Sequence, residues 1–204
     1  MYLVKPSSLN PIRIAKHERN TKETSIIVQV NIDGGGKTDI DTGYSFIDHL
    51  LSAIGKHGMI DIILKARSND GIVHHLVEDV SIALSQTLDK ALSNRDRITR
   101  FGHAIVPMDE SLTYVAIDLV KRQFCNIQLK LSRDTIEGIE KQDLEHFVGS
   151  LTQNLNACTH LVVQYGNNDH HKIESAVKAF AVAFRMAAKI DEKRDGQPST
   201  KGVM

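Results

Sequence analysis

The pattern of apolar and polar positions predicts strands and helices alternating along the chain. From Thr24 to Ile32, apolar residues recur at every second position, which is typical of a half-buried strand. From Phe46 to His57 they recur at helical spacing, and Gly58 is placed to end that helix. The same criteria predict strands at 60–64, 101–107, 112–120, 124–131 and 160–165, and helices at 75–93, 143–158 and 171–190.

Three consecutive glycines, Gly34 to Gly36, follow the first predicted strand. No helix with a Lys-Ser/Thr opening comes after them, which excludes a phosphate-binding loop of the P-loop type. We therefore expect a hairpin turn here, followed by a short return strand over residues 37–42.

The predicted elements occur twice in the same order: a strand pair, a helix, a strand, a turn and a helix. This repetition indicates an internal duplication, with a seam near residues 94–100. We expect a loose lead-in at 1–12, a first α+β repeat at 13–94 and a second at 95–190. The remaining residues, 191–204, are charged and contain two glycines and a proline, so a mobile tail is expected.

Composition excludes several classes of partner. The 204 residues carry 25 basic and 25 acidic side chains and no Trp, so nothing favours binding to nucleic acid or an anionic membrane. No apolar run approaches the ~20 residues of a membrane span, and the start lacks the apolar core of a signal peptide. Cys125 and Cys158 form no CxxC motif, which fits a reducing compartment. We expect a cytoplasmic protein.

Histidine, which occurs ten times, is concentrated in a repeated motif. A His-His-x-x-Glu sequence appears at His74–Glu78 and again at His170–Glu174, and each copy is preceded by a further histidine, His49 or His146. In a helix, residues four apart lie only about 40° apart around the axis, so the first His and the Glu of each copy can share one ion. Adjacent residues diverge by about 100°, so the second His of each pair must point elsewhere.

This geometry predicts two metal sites, each with three imidazoles and one carboxylate. Such a site leaves up to two positions open on a six-coordinate ion, and it suits Mn, Fe or Zn. Structural zinc sites are closed and favour Cys, so these sites are of the kind that meets a ligand. On this basis the candidates are a two-metal hydrolase, a metal-dependent lyase and a metal-storage scaffold. A storage bundle relies on Glu with few His, which disfavours the last.

An ordered set of motifs resembles the imidazoleglycerol-phosphate dehydratase family of histidine biosynthesis, in its monofunctional form. The matching segments are 19–24 (RNTKET), 46–51 (FIDHLL), 57–58 (HG), 74–79 (HHLVED), 100–102 (RFG), 107–110 (PMDE), 118–122 (DLVKR), 166–174 (GNNDHHKIE), 178–180 (KAF) and 198–202 (PSTKG).

The resemblance implies a fold and a ligand set. The family fold is a duplication of two α+β halves, ferredoxin-like or similar to ribosomal protein S5 domain 2. Each half is a mixed sheet with two helices on one face, and the helices pack between the sheets. The family has two Mn²⁺ per active site, sites shared between subunits, and a homo-oligomer of 24 subunits. By position, one metal would take His49, His75, His170 and Glu174, and the other His74, Glu78, His146 and His171.

The resemblance also implies a reaction, the dehydration of imidazole glycerol phosphate to imidazole acetol phosphate. Two metals on the ring nitrogens favour the imidazolate, which expels the hydroxyl through a diazafulvene. Glu23 and His57 match substrate-contacting positions and are expected to be catalytic together with the ligands His49 and Glu174. The expected phosphate-binding residues are Arg100, Arg122 and Lys178, with Ser199, Thr200 and Lys201 of the tail closing over the phosphate.

Two departures and two alternatives accompany this interpretation. Ile72 and Val73 stand where family members often carry two acids, and Lys121 replaces a small residue. The alternatives are a catalytically silent assembly protein that keeps the metals as structural ligands, and a two-metal phosphoesterase. The latter class holds its ions ~3.5–4 Å apart, usually with bridging carboxylates. Asp79 and Asp109 are suggested to orient metal-binding histidines.

Overall fold

The two halves of the chain adopt the same arrangement of strands and helices. The computed structural model describes residues 13–202, so the expected loose lead-in at 1–12 lies outside the described residues. The first half contains β1 (Ile14–Asn20), β2 (Thr24–Asn31), β3 (Thr38–Asp41), α1 (Ser45–Gly58), β4 (Asp61–Ser68) and α2 (Val73–Leu92). The second contains β5 (Phe101–Met108), β6 (Ser111–Asp118), β7 (Phe124–Gln128), β8 (Thr135–Ile136), β9 (Ile139–Glu140), α3 (Lys141–Gln153), β10 (Cys158–Tyr165) and α4 (Asp169–Ala188).

Each half forms a four-stranded mixed sheet with an equivalent strand order. The orders are β1-β2-β4-β3 and β5-β6-β10-β7. In both sheets the last pairing, β3 with β4 or β7 with β10, is parallel, and the others are antiparallel. Among the strands of residues 13–202, only β8 and β9, which pair with each other, have no counterpart in the first half. The duplicated α+β fold that the sequence predicts is confirmed.

The glycine-rich segment differs from its prediction. Gly34 to Gly36 do not join a hairpin, because β2 pairs with β1 and β4, whereas β3 pairs in parallel with β4. The segment instead wraps around Asp61, whose Oδ1 accepts the N–H groups of Gly35 and Lys37 at 2.9 Å each. A side chain at Gly34 would overlap the Asp61 carboxylate. The glycines therefore permit a close crossover rather than a turn between paired strands.

Two further element predictions are wrong in detail. Strand β1 was not predicted, because its burial alternates between exposed and half-buried residues and no apolar stripe marks it. The helix predicted at 143–158 ends at Gln153, where the side chain of Asn154 donates to the carbonyl of Ser150 at 2.9 Å. Cys158 consequently begins strand β10 instead of ending a helix.

The helices lie between the two sheets and join the halves. Helix α2 packs on the first sheet and against α3, whereas α4 packs on the second sheet and against α1. Each interhelical contact thus pairs a helix of one half with a helix of the other. The largest side chains of the core, Phe147, Phe180 and Phe184, are almost fully buried on α3 and α4. Within residues 13–202, no helix combines the length and apolar character needed to cross a membrane.

Residues 191–202 run along the linker between the halves. The N–H of Arg97 donates to the carbonyl of Gly196 at 2.8 Å, and the side chain of Gln197 donates to the carbonyl of Asn94 at 2.7 Å. Ile98 and Ile190 form an isolated bridge. These contacts place the tail beside residues 94–100, while its expected mobility stays a prediction.

Candidate metal and substrate site

Three side chains from α1 and α4 converge in the first candidate metal group. The Nε2 atoms of His49 and His170 lie 3.3 and 3.1 Å from Oε2 of Glu174. The ligand atoms of the three residues all lie within 4.8 Å of one another. His170 and Glu174 meet because they are one turn apart on α4, and His49 joins them because α1 packs against α4.

The second candidate metal group contains His74 and Glu78 of α2 and His146 of α3. Their ligand atoms also lie within 4.8 Å of one another, and the rings of His74 and His146 are 4.6 Å apart between centroids. Because α2 packs against α3, this group, like the first, draws on both halves of the chain. The duplicated motif therefore supplies the ligand residues, and the packing between helices brings them together.

His75 and His171 belong to neither of these groups. Nδ1 of His75 lies 2.7 Å from Oδ2 of Asp70, and Nδ1 of His171 lies 2.7 Å from Oε2 of Glu110. This is the divergence that helical spacing predicts for adjacent residues. Each predicted four-residue metal set is thus brought together within the chain except for one imidazole.

Carboxylate partners shift the pKa values of these groups. The hydrogen bond with Asp70 raises the pKa of His75, and the one with Glu110 raises the pKa of His171. The bond to His171 in turn holds the pKa of Glu110 far below its usual range. Burial would raise the pKa of Glu174, but Lys178 and His49 lower it to about 2. Glu174 is therefore ionised at neutral pH, as a metal ligand must be.

The two predicted substrate-contacting residues lie beside different parts of this arrangement. A carboxylate oxygen of Glu23 is 4.0 Å from Nδ1 of His75. His57 lies at the exposed end of α1, where burial and the nearby Lys178 lower its pKa. Glu23 therefore accompanies an outward-pointing imidazole, whereas His57 accompanies the first metal group.

Most of the predicted phosphate-binding residues line one cleft of about 420 Å³, namely Arg100, Arg122, Ser199, Thr200 and Lys201. Lys178 is elsewhere. Its Nζ lies 2.7 Å from Oε1 of Glu174 and 3.4 Å from the sulfur of Met108. Within one chain, Lys178 thus belongs beside the first metal group and not in the cleft.

Arg100 is already engaged in hydrogen bonds that shape the cleft. Its Nε and Nη2 donate to the two oxygens of Asp118 at 2.7 and 2.9 Å, and its Nη1 donates to the carbonyl of Pro198 at 2.9 Å. The hydrogen bond to Asp118 raises the pKa of Arg100. The guanidinium therefore fixes the tail against β6, which places Ser199 at the cleft.

Sequence reasoning missed the carboxylates that bond the predicted metal-binding imidazoles: Asp70, Glu110, Glu137 and Asp143. No common spacing relates them to the histidines, so the motif carried no signal for them. Of the two acids that were suggested for this role, Asp79 instead bonds Arg19 and Thr24, at 2.8 and 2.5 Å. Asp109 lies 3.5 Å from Nε2 of His171.

The donor atoms in both groups fit a divalent transition metal. Imidazole nitrogens and carboxylate oxygens suit Mn, Fe and Zn, and three ligand atoms within 4.8 Å of one another can surround one ion. Both cysteines lie on strands of the second sheet, β7 and β10, and contribute to neither group. The donor set therefore resembles a catalytic site rather than a thiolate-rich structural one.

Comparison with known proteins decides the family. A family model described as imidazoleglycerol-phosphate dehydratase matches residues 42–184. The chain belongs to this family. Membership of the imidazoleglycerol-phosphate dehydratase family makes the chain an enzyme, a hydro-lyase of histidine biosynthesis, and confirms the resemblance that the ordered motifs carry.

Similar sequences cover almost the whole chain. An imidazoleglycerol-phosphate dehydratase from Methanococcoides burtonii is 45% identical over 195 residues, which are 95% of this chain and 100% of that protein. One from Desulforamulus reducens is 42% identical over 193 residues, covering 94% of this chain and 98% of the relative.

Solved structures of the family have the same fold. The Staphylococcus aureus imidazoleglycerol-phosphate dehydratase matches with a TM-score of 0.79 and 26% identity, over 87% of this chain and 99% of that one. The Pyrococcus furiosus enzyme, in complex with (S)-C348, matches with a TM-score of 0.78 and 36% identity, over 92% of this chain and 100% of that one.

Proposed function

We propose that the protein is a manganese-dependent enzyme that dehydrates D-erythro-imidazole-glycerol phosphate to imidazole-acetol phosphate. Its active sites, each with two Mn²⁺, form between copies of the chain in a cytoplasmic assembly of 24 subunits. One observation carries the proposal: each metal group lacks one imidazole within the chain, and His75 and His171 point away from both groups.

Adjacency along the helices makes the exchange of imidazoles reciprocal. His75 follows the ligand His74 on α2, and His171 follows the ligand His170 on α4. If α2 of one copy faces α4 of another, His75 reaches the first metal group of the neighbour, and the neighbour's His171 reaches the second group of the first copy. The residues of both groups would then lie at one interface, where they would hold two ions for a substrate with two ring nitrogens.

The distance between the phosphate cleft and the first metal group also favours a shared site. The N–H of Arg100 donates to the carbonyl of Ala187 near the end of α4, whereas Glu174 lies near its beginning. Thirteen residues of helix separate these points by about 20 Å. The substrate, an imidazole joined to a three-carbon phosphate, is far shorter. One molecule therefore meets the cleft of one chain and the metal group of another.

The reaction removes a hydroxyl from the carbon attached to the ring and a proton from the next carbon, which together form water. The two metal groups would hold Lewis-acidic ions, which would stabilise the imidazolate form of the ring and so favour loss of the hydroxyl. Glu23 enters the shared site with His75, where its carboxylate contacts the substrate hydroxyl or accepts the proton. The enol that remains becomes the ketone, while Arg122, Lys201 and the neighbouring hydroxyls hold the phosphate.

Turnover with and without metal tests the proposal. The purified protein is stripped with a chelator and supplied with imidazole glycerol phosphate, with and without MnCl₂, and the products are followed by NMR. We expect the ketone to appear only with Mn²⁺. Release of inorganic phosphate without ketone would indicate the phosphoesterase. An intact metal-loaded particle that changes no substrate would indicate the assembly protein.

A further inference from the structure

Each imidazole of the two His-His pairs has a carboxylate oxygen beside its Nδ1 atom. The distances are 2.7 Å for His74 with Asp143, 2.7 Å for His75 with Asp70, 3.1 Å for His170 with Glu137, and 2.7 Å for His171 with Glu110. The four carboxylates come from four places: the turn before α2, the β5–β6 turn, the β8–β9 turn and the first turn of α3. Four separate segments thus each place a carboxylate oxygen beside the Nδ1 atom of one imidazole.

The hydrogen bond determines which ring nitrogen is available to a metal. An ionised carboxylate can only accept, so Nδ1 of the neighbouring imidazole must carry the hydrogen. A neutral imidazole then has its lone pair on Nε2. In His170 this atom faces Oε2 of Glu174 at 3.1 Å, in the direction of the first metal group. The carboxylates therefore select both the tautomer and the orientation of the ring that metal binding needs.

Glu110 has a counterpart in the first half, and the two have different surroundings. Strands β2 and β6 share one burial pattern along their eight residues, and Glu23 and Glu110 directly precede them. Glu110 bonds His171 and also accepts the N–H of Asn168 at 2.7 Å. In the first half, Asp70 occupies Nδ1 of His75, and Glu23 stays 4.0 Å away. Asp70 thereby leaves Glu23 available to a substrate.

We propose that Asp70, Glu110, Glu137 and Asp143 are positioning residues for the metal centres. Each accepts the Nδ1–H of one imidazole and so presents Nε2 to the ion, in its own chain or in a neighbouring copy. The inference rests on the proposed metal-dependent function and extends it to residues that do not touch the metal. The duplicated glutamates have divided two roles between them, with Glu110 positioning an imidazole and Glu23 facing the substrate.

The test is Glu110→Gln, together with Asp143→Asn. An amide keeps the size of the side chain but can offer an N–H to Nδ1, which permits the other tautomer. We expect Mn²⁺ affinity, measured by competition with a chelator, to fall by about 10–100-fold in each variant. We also expect the ¹⁵N spectrum of the metal-free protein to show His171, or His74 in the second variant, moving towards the Nε2–H tautomer.

Glu145→Gln is the matched control, because Glu145 adjoins the ligand His146 but its carboxylate lies 4.0 Å from Lys141. This variant also removes one negative charge, and it should leave the Mn²⁺ affinity and the histidine tautomers unaltered. Glu137→Gln repeats the test at an exposed carboxylate, where folding is least affected. Wild-type affinity and unchanged Nδ1–H tautomers in the three test variants would overturn the inference. Weakened Mn²⁺ binding and altered tautomers in the variants, together with a wild type that turns over no substrate, would support it and refute the proposed function.

Discussion

Single residues at the start of α4 determine where the second His-His pair emerges. Asp169 is buried, and its carboxylate accepts the backbone N–H groups of Ser132 and Arg133 and the ammonium of Lys172, each at 2.7 Å. Burial would raise the pKa of Asp169, but Lys172 and the two backbone donors lower it to about 2. Since His170 follows directly, these bonds fix the beginning of the helix and the direction of its first imidazole.

Asp169→Asn should destabilise the metal-free protein by about 3 kcal/mol at pH 7, because it leaves the Lys172 ammonium buried without its counter-ion. The folded pKa lies below the unfolded value of ~3.9, so the stabilisation is present above that pH and is lost as pH falls towards about 2. Urea unfolding at pH 7 and pH 3 measures the effect.

The difference between wild type and Asp169→Asn should therefore shrink at pH 3. Asp39→Asn, which alters an exposed partner of Lys65, is the control and should change the unfolding free energy by less than about 1 kcal/mol. A difference of equal size at both pH values would show that the carboxylate charge is not what stabilises the helix start.

Among the elements, α4 connects the metal group to the second sheet. It carries His170 and Glu174 near its beginning, and its later turns lie on β5. The approach is close at Gly102, where a Cβ would overlap the backbone carbonyl oxygen of Ala183. A helix and a strand cannot move apart without disturbing the core between them. The glycine at position 102 is therefore what allows α4 to pack this closely on β5.

Gly102→Ala should lower the free energy of unfolding by about 1–3 kcal/mol, because the added methyl group forces α4 away from β5. Gly149→Ala in α3 is the matched control: open space surrounds that position, and alanine should stabilise the helix by up to about 1 kcal/mol. Thermal and urea unfolding of both variants measure whether each substitution raises or lowers the free energy of unfolding. Equal effects at the two glycines would contradict the importance of the close contact.

For the whole molecule, we expect assembly and catalysis to depend on the same metal ligands. The described chain carries the two three-residue groups on its helices and two imidazoles outside them, of which His75 lies with Glu23 and Asp70 in a third such group. In the proposed function, metal ions join copies of the chain, so removing either the ions or the outward imidazoles should have the same consequence for particle size.

His75→Ala and His171→Ala should each abolish activity and the large particle, because each removes the imidazole that is proposed to complete a site across an interface. Light scattering of the Mn²⁺-loaded variants gives the particle mass. His103→Ala, on β5 and outside both groups, is the control and should assemble normally. An unchanged particle in both test variants would show that the metals do not organise the assembly.

Lowering the pH through about 6 to 5 should release the metal and dissociate the particle, because protons compete with the ion for imidazole, which titrates near ~6.5 as a free side chain. The hydrogen bonds with Asp70 and Glu110 raise the pKa values of His75 and His171, so these two imidazoles should take up protons first as the pH falls. Added Mn²⁺ should move the transition to lower pH by mass action. A chelator at neutral pH should give the same small species.

Sedimentation against pH at two Mn²⁺ concentrations decides this prediction. A transition that is independent of Mn²⁺ would assign the acid sensitivity to ordinary carboxylates and interface packing. The metal ligands would then have a catalytic role alone.

The sequence by itself determined the duplication, the α+β class and the pairing of His74 with Glu78 and of His170 with Glu174. These features depend on periodicity along one chain, and helical spacing dictates which neighbours share a face. It also carried the family motifs, which the matched family model confirms.

Only the tertiary structure decided which distant segments meet. The contacts of α1 with α4 and of α2 with α3 bring His49 and His146 to their groups, and no local pattern encodes a choice between helix partners. The parallel pairing of β3, and the carboxylates of Asp143, Glu137 and Glu110 at Nδ1 of His74, His170 and His171, were decided there too. Each depends on a crossover or a turn closing over many residues, and spacing along the chain does not specify such contacts.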